Sequence, residues 1–101
     1  MNNRLFVYGT LKRKAIREKA LHERHDVPHE VANCAGYLEL PVSFDGEQWP
    51  TMFPMSGKTT KGEILTVRDD ELEKLDEWED NYKRKLVQTT GGRAWTYIFT
   101  R

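Results

Sequence analysis

The chain has 101 residues, room for one domain with a modest core, and its 38% hydrophobic content with three Trp, four Tyr and four Phe argues for a folded rather than a disordered polypeptide. Sixteen Lys and Arg balance sixteen Asp and Glu, and zero formal charge removes the simplest case for a nucleic-acid binder, which needs a cationic surplus or face. No apolar run approaches the roughly 20 residues that span a bilayer, the stretch after Met1-Asn2-Asn3-Arg4 is too short for a secretory core, and the lone Cys34 can form no internal disulfide, so a cytoplasmic protein without membrane contact is expected.

Leu5-Phe6-Val7-Tyr8 is a β-branched and aromatic run stopped by Gly9, which predicts a buried first strand ending in a tight turn. Residues 11–25 contain no Gly or Pro, and Ala15, Ile16, Ala20 and Leu21 form a loose stripe among charged residues, predicting a surface helix. Val31 onward to Leu40 predicts one or two strands bent at Gly36. Residues 41–54, with three prolines and Asp45-Gly46, predict a loop-rich connection packed through Phe44, Trp49 and Phe53. Gly57-Lys58-Thr59-Thr60 marks a further turn, and Gly62-Glu63-Ile64-Leu65-Thr66-Val67 a strand ended by Arg68.

Asp69-Asp70-Glu71 ahead of Leu72 is a helix-start signature, with a carboxylate expected at the N-cap and the helix running over about 70–78. Strand formers over 84–89 and 94–100 flank Gly91-Gly92 and predict a hairpin. Strands and helices do not alternate regularly, so the predicted class is α+β rather than a doubly wound parallel sheet, and the whole of 1–101 is expected to form a single domain.

Leu72, Leu75 and Glu79 fall at i, i+3 and i+7, placing a carboxylate where the core-facing stripe of the second helix would continue. Burial disfavours an ionised carboxylate, and such a group can act as a general base near neutral pH. The alternative is a helix that ends at Trp78 with Glu79 reaching solvent. Asp76 competes on the same face, while Glu77 and Asp80 look outward. Tyr8-Gly9-Thr10-Leu11 is a second candidate, because a glycine after a buried strand allows a sharp turn and leaves backbone amides free to bind an anion; a purely structural turn is the competing reading.

His22, His25 and His29, with Cys34 or Glu23, match no recognised zinc spacing. The basic cluster Lys12, Arg13, Lys14, Arg17 and Lys19 reads as a solvated helix face, given Glu18 and Glu23 beside it. No Ser-His-Asp arrangement, P-loop or dinucleotide fingerprint is present.

Taken in order, Phe6-Val7-Tyr8-Gly9-Thr10-Leu11-Lys12, Gly36-Tyr37-Leu38, Trp49-Pro50, Gly62-Glu63-Ile64-Leu65, and Leu75-Asp76-Glu77-Trp78-Glu79 followed by Tyr82-Lys83-Arg84 resemble the motifs of the γ-glutamylcyclotransferase-like family across nearly the full length. The resemblance implies an α+β fold with a small mixed β-barrel and two packed helices. It implies a reaction in which the substrate's own α-amino group attacks its γ-glutamyl carbonyl, giving 5-oxoproline and a free amine or amino acid. Glu79 would take the catalytic acid/base role, Tyr8, Gly9, Thr10, Leu11 and Tyr82 would bind substrate, and neither a metal nor an organic cofactor is required. A non-catalytic member using the same cavity to bind a small metabolite is the alternative. Three departures change the rim of the pocket: Asp80 where the family commonly has Gly, a shorter spacing from Glu79 to Tyr82, and the basic Lys12-Arg13-Lys14.

Overall fold

The structure, a computed structural model, describes residues 2–9 and 29–100. The helix expected over 11–25 therefore lies outside the described residues, as do Thr10, Leu11, the basic cluster, His22 and His25.

The described chain runs β1 (Asn2–Tyr8), β2 (His29–Phe44), β3 (Glu47–Arg68), α1 (Asp69–Trp78), β4 (Tyr82–Thr89) and β5 (Gly92–Phe99). The strands form one mixed sheet in the order β2-β3-β1-β5-β4, antiparallel except where β1 meets β5. This central position explains why Leu5-Phe6-Val7-Tyr8 is apolar without a break. Leu5 and Val7 face one core, with Leu65, Val67, Leu72 and Leu75. Phe6 and Tyr8 face the other, with Ala32, Cys34, Met52, Ile64 and Ala94. A strand covered on both sides has no solvent-facing position to fill with polar residues.

The second core lies inside the curl of the sheet, and its edges meet at one corner. Thr90 donates its N–H to the Asn33 carbonyl and Asn33 donates its own to Thr90 Oγ1, both at 2.9 Å. Cys34 Sγ lies 3.4 Å from the Gln88 carbonyl. No ladder joins β2 to β4 among the described residues, so the barrel expected from the sequence is corrected to a curled, five-stranded half-barrel. The edges touch at this corner through turn and side-chain hydrogen bonds, and the remainder of the β2 and β4 edges share no ladder among the described residues. Of the two helices expected, α1 is the one among the described residues.

Residues 41–54 also differ from expectation. They form a two-stranded arm, with β2 and β3 paired from Phe44↔Glu47 through Tyr37↔Pro54. Asp45 (φ 54°) and Gly46 (φ 76°) make the two-residue hairpin turn, for which two successive left-handed residues are required. The bend at Gly36 is present as a break in register between Ala35 and Tyr37, and Gly36 has φ 84°. Of the turn expected over 57–60, Gly57 (φ 80°) and Lys58 fall in the unpaired part of β3 opposite this break, while Thr59 and Thr60 pair with Ala35 and Cys34.

Helix α1 begins within one residue of its expected start. Its N-cap is Arg68 rather than an acid; the Arg68 N–H is taken by the Glu71 carboxylate at 2.8 Å, so the carboxylate works from inside the first turn. Asp69 instead accepts from Asn3 Nδ2 at 2.6 Å, tying the helix start to β1.

Gly62 pairs with Tyr8 where β1 ends. A β-carbon there would drive into the Val7 carbonyl and approach the Phe6 ring to 2.9 Å. Because backbone cannot step aside as a flexible side chain can, Gly62→Ala is expected to cost about 1–3 kcal/mol, the scale of overpacking a dense core. Urea unfolding of the two proteins measures this; equal midpoints would mean that the strands are free to separate at this point.

Candidate functional site

The apolar stripe of α1 ends in a carboxylate. Leu72 and Leu75 are buried, and Glu79, one turn further on, is only 5% exposed. The solvent-facing alternative for Glu79 is thereby excluded, even though the helix does end at Trp78. Two backbone bonds hold Glu79 in this place: its N–H donates to the Leu75 carbonyl at 2.8 Å, and its carbonyl accepts the Tyr82 N–H at 2.9 Å. The chain thus turns straight from helix into β4. Thr100 donates its N–H to the Asn81 carbonyl at 3.0 Å, fastening the same turn to the end of β5.

Asp76, the competing acid, has another engagement. It accepts from the Tyr97 hydroxyl at 2.7 Å and pairs with Arg84 at 3.1 Å, and its side chain is 37% exposed. Arg84 in turn lies 4.6 Å over the Trp95 ring. Glu77 and Asp80 are exposed, as their spacing predicts.

Glu79 lines a cavity of about 380 Å³ together with Trp49, Pro50, Trp78, Asp80 and Tyr82. That volume lies in the range of small-molecule sites. Its walls are largely aromatic: Trp49 and Tyr82 stand 6.4 Å apart, and Phe99 closes on both at 6.0 and 5.5 Å. Tyr82 donates its hydroxyl to the Pro50 carbonyl at 2.7 Å, so the wall is braced across the cavity floor.

Tyr8 is 1% exposed, with its hydroxyl donating to the Tyr97 carbonyl. Burial pushes the Tyr8 hydroxyl far above the ordinary tyrosine range; a hydrogen bond with Thr51 acts the other way, and Tyr82, Glu79 and Glu39 reinforce the rise. Burial likewise raises Tyr82, with the Glu79 charge adding to it. Both hydroxyls therefore remain protonated donors, and both protons point to backbone carbonyls. Gly9 follows with φ 75°, a conformation that favours glycine, and packs between the Glu39 carboxylate and Pro50. The structure thus brings Glu79 and Tyr82 into one cavity and sets Gly9 against Pro50 of its wall; Tyr8 is buried beside Gly9 and does not line the cavity, while Thr10 and Leu11 lie outside the described residues. His29 is exposed in β2, and among the described residues no three His, Cys, Asp or Glu side chains are grouped to hold a metal. No helix among the described residues is long and apolar enough to cross a membrane.

Three residues of the site had no signal in the sequence. Thr51, on β3, accepts the Phe99 N–H at 2.9 Å and reaches Tyr8. Tyr97 bridges Tyr8 and Asp76. Glu39 reaches Gly9 from β2. Each acts across a long-range strand pairing.

The model of the gamma-glutamyl cyclotransferase, AIG2-like family matches residues 5–101. The chain belongs to that family. Solved structures agree on the fold. A protein of Arabidopsis thaliana is 22% identical with a TM-score of 0.78, over 98% of this chain and 62% of that one. A gamma-glutamyl cyclotransferase is 18% identical with a TM-score of 0.71, over 100% and 68%. An AIG2-like protein of mouse is 24% identical with a TM-score of 0.67, over 98% and 78%. The chain thus spans less than two thirds of the Arabidopsis protein. No curated protein sequence matches it. Of the motifs read from the sequence, Trp49-Pro50, Trp78-Glu79 and Tyr82 meet in the cavity, and Asp80 beside Glu79 is exposed.

Glu39 is exposed overall, but its carboxyl, set against Gly9, is partly desolvated, and this raises it above its ordinary range. A carboxyl with a raised pKa in the folded state binds protons more tightly there than in the unfolded chain. Its ionisation opposes folding once the pH exceeds its folded pKa, and this penalty is absent below its unfolded pKa. Glu39→Gln should therefore raise the urea midpoint at pH 7 and give no gain at pH 3. A gain of the same size at both pH values would assign the effect to packing instead.

Proposed function

We propose that the protein is a cyclotransferase that converts a γ-glutamyl amine or γ-glutamyl amino acid to 5-oxoproline and the free amine, with Glu79 as the acid/base. The observation that carries this reading is a carboxylate 5% exposed at the end of an apolar stripe, lining a cavity of about 380 Å³. In this reaction the α-amino nitrogen forms a bond to the γ-carbonyl carbon and the bond from that carbon to the leaving nitrogen breaks. One group must take a proton from the attacking nitrogen and return one to the leaving nitrogen. A buried carboxylate at the junction of both serves the two steps in turn.

On this reading the substrate supplies the nucleophile, and the protein supplies shape and charge. Backbone amides of the turn at Gly9, Thr10 and Leu11 would hold the α-carboxylate or the developing oxyanion, because fixed dipoles need little reorganisation. Tyr82 would contribute its ring as a wall, its hydroxyl proton being committed to Pro50. Tyr8 would support the turn from behind. Trp49 and Trp78 offer apolar surface to the leaving group. Folding the substrate so that its amine faces its own carbonyl makes the step intramolecular, where orientation supplies much of the acceleration.

Purified protein incubated with γ-glutamyl amines and dipeptides, γ-glutamyl-ε-lysine included, should yield 5-oxoproline by mass spectrometry. Glu79→Gln should keep the fold and lose about 10²-fold or more of turnover, the scale for a missing general base. A fully active variant removes Glu79 from the mechanism. Tight binding of these compounds by folded protein without any product would replace the enzyme with a metabolite-binding member.

A further inference from the structure

We infer that Tyr97 is a positioning residue, a strut whose two ends fix the helix bearing Glu79 against the strand that ends in the Tyr8-Gly9 turn. The inference rests on the cyclotransferase reading for its meaning, and on geometry for its content. At the side-chain end, the Tyr97 hydroxyl donates to Asp76 Oδ1 at 2.7 Å and lies 3.5 Å from the Leu72 carbonyl. Both acceptors belong to α1, and Asp76 is the residue three positions before Glu79. At the backbone end, the Tyr97 carbonyl accepts the Tyr8 hydroxyl.

The strut is stiff at each joint. Tyr97 is 2% exposed and sits in the core formed by Leu5, Val7, Leu72 and Leu75. Asp76 is held on its other oxygen by Arg84, and Arg84 is laid against Trp95. Arg84 and Tyr97 are direct partners across the β4–β5 ladder, so the acceptor for the hydroxyl is fixed by the strand that also fixes the hydroxyl. Burial first, and the bond to Asp76 second, push the Tyr97 hydroxyl well above the ordinary tyrosine range, so it is a protonated donor near neutral pH.

A group that must reach both an attacking and a leaving nitrogen tolerates little displacement; misplacing a catalytic group by about 1 Å can cost about 10²-fold in rate. Loosening the strut should therefore act on the chemical step rather than on substrate capture. In Tyr97→Phe the ring and the carbonyl remain and the bond to α1 is lost. We expect kcat to fall about tenfold or more with KM within about twofold. The strut needs an acceptor, not a charge, so Asp76→Asn should retain most of kcat while Asp76→Leu, which also removes the Arg84 pair, should fall at least as far as Tyr97→Phe. Adding Tyr97→Phe to Asp76→Leu should lower kcat no further, since the bond is already gone.

Carbon-13 labelling of the Glu79 carboxyl gives a readout that requires no turnover. At a fixed pH its chemical shift should change in Tyr97→Phe and change clearly less in Asp76→Asn. An unchanged Glu79 signal, or an unchanged kcat, in folded Tyr97→Phe overturns the strut. If the unaltered protein turns over nothing, the cyclotransferase reading fails by itself, and the carboxyl signal alone decides whether Tyr97 positions Glu79: a change supports it and no change overturns it.

Discussion

The structure depends on a strand with no free face. β1 is held between β3 and β5, and its side chains alternate into two cores, so everything that covers them must be brought in from elsewhere in the chain. The helix covers one side and the curl of the sheet covers the other. Gly62 lets β3 come close enough at the end of this strand for the Val7 carbonyl and Phe6 ring to pack against its backbone. Tyr8 is the last residue of β1 and is buried like the rest, so the turn at Gly9 starts from a rigid base.

The parts of this arrangement that rest on local pattern were legible in the sequence. Four apolar residues before Gly9 indicated a buried strand and a turn, and φ 75° at Gly9 shows why that residue is glycine. The spacing of Leu72, Leu75 and Glu79 placed the carboxylate on the core side of α1, and Gly91-Gly92 marked the β4–β5 hairpin. The spacing alone left Glu79 divided between cavity and solvent, because it follows the last helical residue. Its burial is settled by the tight return into Tyr82, a feature of the turn rather than of the helix.

What escaped the sequence depends on partners far away along the chain. The prolines over 41–54 suggested a loop, and they outweighed Asp45-Gly46, the strongest hairpin signal in the segment. The structure reconciles them: Pro41 faces Pro50 across the ladder, so the two missing donors fall on one rung of the arm. The open barrel follows the same logic, since meeting of the sheet edges at Asn33 and Thr90 is decided by curvature accumulated over five strands. Glu39, Thr51 and Tyr97 join the site only through such pairings. No spacing within their own segments distinguishes them from other strand residues.

The distribution of protons within the site follows from its dryness. Three tyrosines surround Glu79, and burial is the first cause of the upward shift in each. A buried hydroxyl costs free energy unless it finds an acceptor. Tyr8 and Tyr82 use backbone carbonyls and Tyr97 uses Asp76, so the hydroxyl protons act as braces. Groups whose ionisation lies so far above neutrality are poor at passing protons near pH 7, where efficient acid/base catalysis calls for a matched pKa. The proton chemistry of the proposed reaction therefore falls to the carboxylate. In this small fold the buried residues and those that hold the geometry are the same, which is why Tyr97 serves at once as core packing, helix anchor and acceptor for the Tyr8 hydroxyl.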